Sequence, residues 1–586
     1  MIKGKKERKT QSFLQGAAVL GASMIIVKIM GMVYKILLSN MYGGIGTGLF
    51  NSAYALYNPL FTLSTAGFPI AISRMVSESV TKKRFRDVKQ IHRLSVPIFV
   101  VCGCLCFLAM VLGSFIYVKI INAENAIFAI LCLSPTIFFG CLMSIYRGYF
   151  EGMRNMVPTA ISEIIEAVCK LFLGFTASFV TMQLCLNSYE STGYVLGTKC
   201  DSITEAESVA IPIAIGAAIT GISLGSLFGF LFLFIRYKRG GDGITKEELK
   251  NSPPPRKPGT IIRTMVRTAI PIGLGSIVMS LADAIDSTLV QVRINNIMET
   301  NPEALLNVYG SLIPDEIYYA NETHTYLYGC YGIALTLMML ISAVTQVFGT
   351  TALPSVTAAW TSGNKIRLKQ NMETVIRVTV LVTIPSGIGM SVLAEPLLSL
   401  IYSGSSVANE VEIGSKVLAV MGISVIFIAT STPLCSMLQA VGRMDIPLKL
   451  YTIGMIMKII VNYILVGIPE INIQGANVGS IVCYGFVTIA AMFFLCRETK
   501  VIPNFMSILV KPLMAAIMCG IAAYFSEILF DIFFKQKIAT VLAVITAVIV
   551  YVIFLFVFKA FKREDILQMP KGNKILKILE KRKLIR

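Results

Sequence analysis

Apolar runs of about twenty residues or more recur about fourteen times along this chain. A run of that length is what a helix needs to cross the roughly 30 Å hydrocarbon core of a bilayer. The runs lie near 12–40, 48–78, 94–118, 125–146, 158–183, 208–235, 265–290, 324–352, 374–402, 415–439, 449–468, 475–496, 509–530 and 538–560. In lipid each segment must satisfy its own backbone N–H and C=O groups, so such runs become helices. The pattern predicts an all-α polytopic membrane protein with about 14 transmembrane helices. Composition agrees: 15% of residues are charged, against roughly a quarter in soluble domains.

The formal net charge of +19 would suggest nucleic acid in a soluble protein, so the placement of the cations decides. With a cytoplasmic N-terminus, about 37 Lys and Arg fall in inside segments and about five in outside loops. That bias is the positive-inside rule, and it places both termini in the cytoplasm without any nucleic-acid partner. The basic stretch Met1 to Thr10 is followed by an apolar run too long for a signal-peptide core, so it reads as the flank of a retained first span.

The punctuation repeats. Gly67-Phe68-Pro69-Ile70-Ala71 is echoed by Ala352-Leu353-Pro354-Ser355-Val356, and Tyr146 to Pro158 by Leu438 to Pro447, at offsets of 285 and 289 residues. The expectation is two six-helix lobes, 1–236 and 261–497, joined by a cytoplasmic linker at 237–260. Two further helices occupy 498–561, and a basic cytoplasmic tail 562–586. Lobes of the same orientation are related by a pseudo-twofold axis along the membrane normal, with the site between them near mid-membrane.

Several segments carry a family likeness: Lys28-Ile29-Met30-Gly31, Tyr42-Gly43, Gly46 to Phe50, Gly67 to Ser73, and Arg147-Gly148-Tyr149-Phe150-Glu151-Gly152-Met153 ahead of Pro158-Thr159-Ala160. Through these the chain resembles the polysaccharide flippase branch of the multidrug/oligosaccharidyl-lipid/polysaccharide (MOP) exporter superfamily, nearest to stage V sporulation protein B and MurJ-type lipid II flippases. The resemblance implies a bacterial plasma-membrane protein whose cavity is lined by spans one, two, seven and eight, with a lipid groove at the last two spans. The implied cargo is an undecaprenyl-diphosphate-linked sugar of peptidoglycan or another polysaccharide, with cell shape or sporulation as the setting. The implied agent is a monomer with no cofactor. Lys28 and Lys35 resemble the family's first-span cations in type and place, but as lysines. The second-span arginine of MurJ proteins has no match near Phe61 to Ala66.

The intramembrane charges are the candidate site. Lys28 and Lys35 lie seven residues apart, on one helical face. An ammonium at that depth costs a few kcal/mol and is turned toward a partner or a water-filled path. They would bind a diphosphate as point charges, against the alternatives of a structural ion pair for Lys28 and snorkelling for Lys35. Asp283 and Asp286 in the seventh span, aligned by span order with Lys28, would pair with it in the empty site or bind a coupling cation; a permanent interlobe salt bridge is the competing reading. Arg74 pairs with Glu78 at the end of the second span and could meet an entering head group. Arg263 and Arg267 open the seventh span, roughly where the family keeps a cavity-mouth arginine. Arg147, Glu151 and Arg154 read as a gate held by ion pairs. Glu163, Glu166 and Lys170 share one face of the fifth span, Glu166 and Lys170 at the i, i+4 spacing of an internal ion pair. Lys458 would be an interhelical partner for Glu163 or Glu166. His92 and His324 form no metal or acid–base constellation, and a lone histidine beside a basic loop reads as solvated. The thirteen cysteines read as small hydrophobes, except Cys185 and Cys200 in one polar loop, for which a disulfide and two free thiols stay open. The tail interleaves Ile575, Leu576, Ile578 and Leu579 with lysines, as an amphipathic helix on anionic lipid would.

Three functions compete. A flippase for a polyprenyl-diphosphate-linked precursor suits the cationic first span. A cation-coupled multidrug or metabolite antiporter suits Asp283 and Asp286 but not the lysines. A membrane-embedded glycosyltransferase would need a carboxylate constellation, which the outside loops near 184–207 and 291–323 do not display.

Overall fold

The computed structural model describes residues 13–241, 243–402, 404 and 407–560. The basic N-terminal ten residues and the amphipathic tail expected at 562–586 lie outside the described residues. In chain order the helices are α1 (Phe13–Thr65), α2 (Phe68–Thr81), α3 (Phe85–Ile120), α4 (Ile127–Leu133), α5 (Pro135–Gly152), α6 (Val157–Cys169), α7 (Phe175–Thr192), α8 (Ile203–Gly240), α9 (Lys246–Lys250) and α10 (Pro258–Thr300). They continue as α11 (Pro302–Tyr309), α12 (Asp315–Tyr319), α13 (Thr323–Thr361), α14 (Lys365–Val392), α15 (Ala394–Ile401), α16 (Ala408–Ala440), α17 (Asp445–Leu465), α18 (Gly475–Thr499), α19 (Lys511–Phe533) and α20 (Gln536–Val557). One two-rung hairpin, β1 (Tyr194–Val195) and β2 (Thr198–Lys199), sits in the loop between α7 and α8.

Among the described residues, twelve helices are long and apolar enough to cross a membrane. The first, Val19–Thr81, runs 63 residues, about 95 Å at 1.5 Å per residue, which is room for two of the expected spans. The chain changes direction within it at Gly43, whose φ of 56° and ψ of −150° are open to a residue without Cβ. The seventh expected span is α10. The expected all-α polytopic architecture holds.

The chain divides into two compact units, one of residues up to Glu299 with Ile313–Gly329, the other Thr300–Leu312 with everything from Cys330 on. In the first unit one core gathers Tyr34, Leu49, Met110, Ile130 and Ile215 from α1, α3, α4 and α8. A second gathers Ile72, Phe99, Tyr149, Leu233 and Met265. The start of α10 enters that second core on one helical stripe, Ile261, Met265 and Ala269, at the i, i+4 spacing of a buried face. Farther along α10, Ser52 donates to Gln291 at 2.9 Å, and Thr62 and Ser280 share a hydrogen bond of 2.9 Å. The helix expected to open the second lobe therefore packs with the first unit. Gly44 and Gly48 of α1 meet the first turns of α13 so closely that a methyl at Gly329 would overlap the Gly44 carbonyl.

The linker is anchored to the first unit chiefly through one buried carboxylate. Asp87, 1% exposed at the start of α3, lies 2.7 Å from Arg84 and 2.9 Å from Arg256, and accepts from the Arg256 backbone N–H at 2.8 Å. Arg86 adds bonds to the Leu249 carbonyl and, through its backbone N–H, to Ser252. The Pro-rich segment thus lies along the basic loop between α2 and α3.

In the second unit α16 packs on α14 and α18, and α17 on α18. The pair α19 and α20 packs on itself and on α14, where Tyr551 donates to the Leu381 carbonyl at 3.0 Å. A buried charged pair, Glu373 and Arg377, sits one turn apart on α14 at 3.8 Å, and Glu373 also accepts from the Asn504 N–H at 3.0 Å. That contact fixes the entry to α19.

The turns that end the helices carrying the echoed segments share one backbone geometry. After α2 and α5 the chain closes through left-handed Lys83 (φ 56°) and Arg154 (φ 58°); after α13 and α16 it does so through Gly363 (φ 67°) and Gly442 (φ 88°). Each turn has the helix-ending six-to-one bond: Arg84 N–H to Ser79, Asn155 to Phe150, Asn364 to Ala359 and Arg443 to Leu438. Nothing lies within 4 Å of a Cβ built at Gly363 or Gly442, so only the backbone conformation demands glycine there. Gly442→Ala is expected to lower unfolding stability in detergent by about 1 kcal/mol, and Lys83→Ala, which keeps an existing strain, by less than about 0.5 kcal/mol. Thermal unfolding of the two purified variants checks the contrast.

Candidate functional site

The first unit concentrates its polar chemistry where α1 passes α6, α7 and α8. Tyr34 is fully buried and donates to the Ala218 carbonyl of α8 at 2.8 Å, which fixes the rotation of α1. From Tyr34 a row of rings follows α1: Phe50, Tyr54, Tyr57 and Phe61, with centroids 4.7 to 6.2 Å apart. The last four are spaced at i, i+4, i+7 and i+11, one helical face.

Lys170 projects onto this row. Its Nζ lies 5.0 Å from the Tyr34 ring centre, 5.9 Å from Phe50 and 5.7 Å from Tyr54, and 3.5 Å from the Tyr54 hydroxyl. The ring quadrupoles hold the ammonium. Lys35, half-buried on α1, is close enough to Lys170 for the two charges to repel.

The expected Glu166–Lys170 pair is not made. The turn from Glu166 to Lys170 is α-helical, with the Lys170 N–H on the Glu166 carbonyl, and a π-helical turn, Lys170–Gly174, begins only there; the two side chains part because each finds its partner on another helix. Glu166 instead takes Arg147 of α5 at 3.2 Å and the Ser226 hydroxyl of α8 at 3.2 Å. Arg147 also donates to Ser162 at 3.0 Å. Glu163 accepts from Ser23 of α1 at 2.9 Å, so both carboxylates find partners inside the first unit rather than in Lys458. Lys458 is buried on α17 in the second unit.

Of the gate residues, Arg147 turns to Glu166 while still acting on Glu151 electrostatically; Arg154 is exposed at its left-handed turn. Lys28 is exposed on α1, and Asp283 on α10; Asp286 is buried one turn on. All three engage partners, and all three belong to the first unit. Arg263 and Arg267 are exposed on the side of α10 away from its buried stripe. Arg74 is exposed on α2, in the field of Glu78, which is itself bridged to Lys82 at 2.6 Å and Arg256 at 3.7 Å. His92 is not solvated: it stacks on Tyr237 at 4.4 Å and meets Tyr146 and Tyr149 edge-on. Cys185 and Cys200 are buried in one cluster with Val195, Ala206 and Ala210, as free thiols.

Sequence reasoning missed the aromatic row, the Asp87 anchor and the Glu373–Arg377 pair. The first carried a signal, aromatics at helical spacing in an apolar span. The third carried the i, i+4 acid–base spacing. Asp87 carried none, because its partner Arg256 comes from the linker.

Residues 13–198 match the family described as Polysaccharide biosynthesis protein, and residues 325–561 match Lipid II flippase MurJ. Neither match spans half of the chain; together they make it similar to polysaccharide-biosynthesis and lipid II flippase proteins. The chain is 22% identical over 500 residues to the Lipid II flippase MurJ of Bacillus subtilis (strain 168), covering 82% of this chain and 83% of the relative. It is 23% identical over 573 residues to the Stage V sporulation protein B of the same organism, covering 96% and 98%. In fold it is similar to a solved Lipid II flippase MurJ in an inward closed conformation, with a TM-score of 0.59 at 14% identity, covering 92% of this chain and 98% of that one. The apolar helices and these likenesses mark the chain as a multi-pass membrane protein.

A double-mutant cycle in unfolding stability separates the observed pair from the one expected by spacing. Arg147→Met with Glu166→Gln is expected to show a coupling of about 1–2 kcal/mol, and Lys170→Met with Glu166→Gln less than about 0.5 kcal/mol.

Proposed function

We propose that this protein is a flippase that carries an undecaprenyl-diphosphate-linked cell-wall precursor, lipid II-like or another polysaccharide intermediate, from the inner to the outer leaflet by alternating access. The observation that carries the reading is the repelling pair Lys35 and Lys170. Lys170 is held on an aromatic face with Lys35 near enough to repel it, while Glu163 and Glu166 are occupied by Ser23, Arg147 and Ser226. Such a pair favours an anion that bridges both charges, and it disfavours the cationic cargo of a drug antiporter. A diphosphate offers several oxygens to two point charges, and a lysine makes no demand for one fixed fork geometry.

In this reading Lys28 and Lys35 receive the diphosphate. Arg74, Arg263 and Arg267 draw the head group in from the cytoplasm. Asp283 and Asp286 pair with the cations of the empty site or bind a coupling ion. Arg147, Glu151 and Arg154 serve as the gate. The lobes 1–236 and 261–497 rock about an axis along the membrane normal, and 498–561 holds the prenyl chain. The termini are cytoplasmic, the working unit is a monomer, and the setting is envelope synthesis, whether in cell shape or in sporulation.

Depletion in the host, with lipid-linked precursors followed on each leaflet, is expected to show one diphosphate-linked glycan accumulating on the inner leaflet; unchanged precursors with altered drug efflux would refute the reading. In the depleted host Lys28→Ala and Lys28→Glu are expected to fail to complement while reaching the membrane, and Lys28→Arg to complement. Full activity of Lys28→Glu would end the phosphate-site assignment.

A further inference from the structure

The second unit holds a cavity of about 360 Å³ walled by the junction of α14 and α15 and by α16 and α19. At roughly 30 Å³ per water it is about a dozen waters in size, too large for one ion and suited to a small organic group. It lies at the end of α14 remote from the basic stretch Lys365 to Lys369. Most of its lining is apolar; the polar groups are Glu395, Ser415, Lys416, Tyr524 and Glu527.

Glu527 points to a ligand. Its Oε1 accepts from the Thr540 hydroxyl at 3.3 Å, whereas Oε2 is buried and receives no hydrogen bond. A buried carboxylate oxygen without a donor is costly, and a donor supplied by a ligand removes that cost. Glu395 brings a second carboxylate to the wall. Lys416 is bridged to Glu412 at 3.2 Å, both about half exposed, a pairing that is given up at little cost. Beyond the cavity, α19 exposes Phe525, Leu529 and Ile532 alongside Tyr524 and Ile528. This is an apolar face of the kind that acyl chains cover.

We propose that this cavity binds the headgroup of an ammonium-bearing phospholipid: the ammonium between Glu527 and Glu395, the phosphodiester toward Lys416, and the acyl chains on the exposed face of α19. Two carboxylates and a releasable lysine complement a zwitterion. An anionic headgroup would leave Glu527 unanswered, and α19 is itself a span whose exposed face meets acyl chains, which places a lipid headgroup within reach of the cavity. The assignment does not rest on the identity of the cargo.

The test is native mass spectrometry of the full-length protein, released from nanodiscs containing equal phosphatidylethanolamine and phosphatidylglycerol. The expected result is retention of phosphatidylethanolamine over phosphatidylglycerol by about tenfold, falling to parity in Glu527→Gln and by several-fold in Glu395→Gln, whose exposed position spares folding. Free O-phosphoethanolamine is expected to displace the lipid only at far higher concentration. Equal retention of the two lipids, wild-type retention by both variants, or displacement by O-phosphoethanolamine at the concentration of the lipid would each overturn the proposal.

Discussion

A charge inside a bilayer has to be answered within the same low-dielectric space, and the first unit is arranged around how its charges are answered. Arg147 and Glu166 answer each other and tie α5 to α6, with Ser226 adding α8. Glu163 and Ser23 tie α6 to the first turns of α1. Lys170 is answered by rings instead of by a carboxylate, which ties the α6–α7 junction to the middle of α1. With Tyr34 bonded to Ala218, the part of α1 ahead of the Gly43 kink is held in one rotation, and Lys35 follows from that rotation to lie near Lys170. The cation pair is thus a consequence of how the other charges are satisfied. Under the proposed function its remaining demand, for an anion, is the one a diphosphate would fill.

The second unit handles charge differently. Its buried arginine, Arg377, shares an α14 turn with Glu373, and the second Glu373 oxygen receives the Asn504 N–H ahead of α19. The appended helices are therefore fastened through an ion pair at one end, and through the Tyr551–Leu381 bond within the span. Glu527, on the same appended pair, has one oxygen without a donor. Charge in this unit serves attachment and a lipid contact.

The number and type of the long elements were legible in the sequence because lipid imposes a length and forbids open backbone, whatever the side chains do. The turns after α2, α5, α13 and α16 were legible as loop positions. Their shared left-handed geometry was hidden, since Lys83 and Arg154 stand where Gly363 and Gly442 signal it. The candidate site was legible in its residue types and not in its pairings. Spacing assigns Glu166 to Lys170, and the turn between them is α-helical, but Arg147 of α5 and the rings of α1 take the two charges instead. His92 reads as solvated beside a basic loop, yet three tyrosines from α5 and α8 close over it. Contacts such as Asp87 with Arg256, 169 residues apart in the chain, leave no local trace.

The proposed function requires that the region of Lys35 and Lys170 favour a lipid diphosphate. The most direct measurement is the leaflet accessibility of a fluorescent prenyl-diphosphate sugar in proteoliposomes of the purified protein, beside the same sugar on an uncharged prenyl alcohol. The account predicts that the diphosphate lipid crosses well above the protein-free rate, that the uncharged lipid does not, and that Lys35→Glu abolishes the difference. Equal transport of both lipids, or a rate no higher than that of protein-free vesicles, would contradict it.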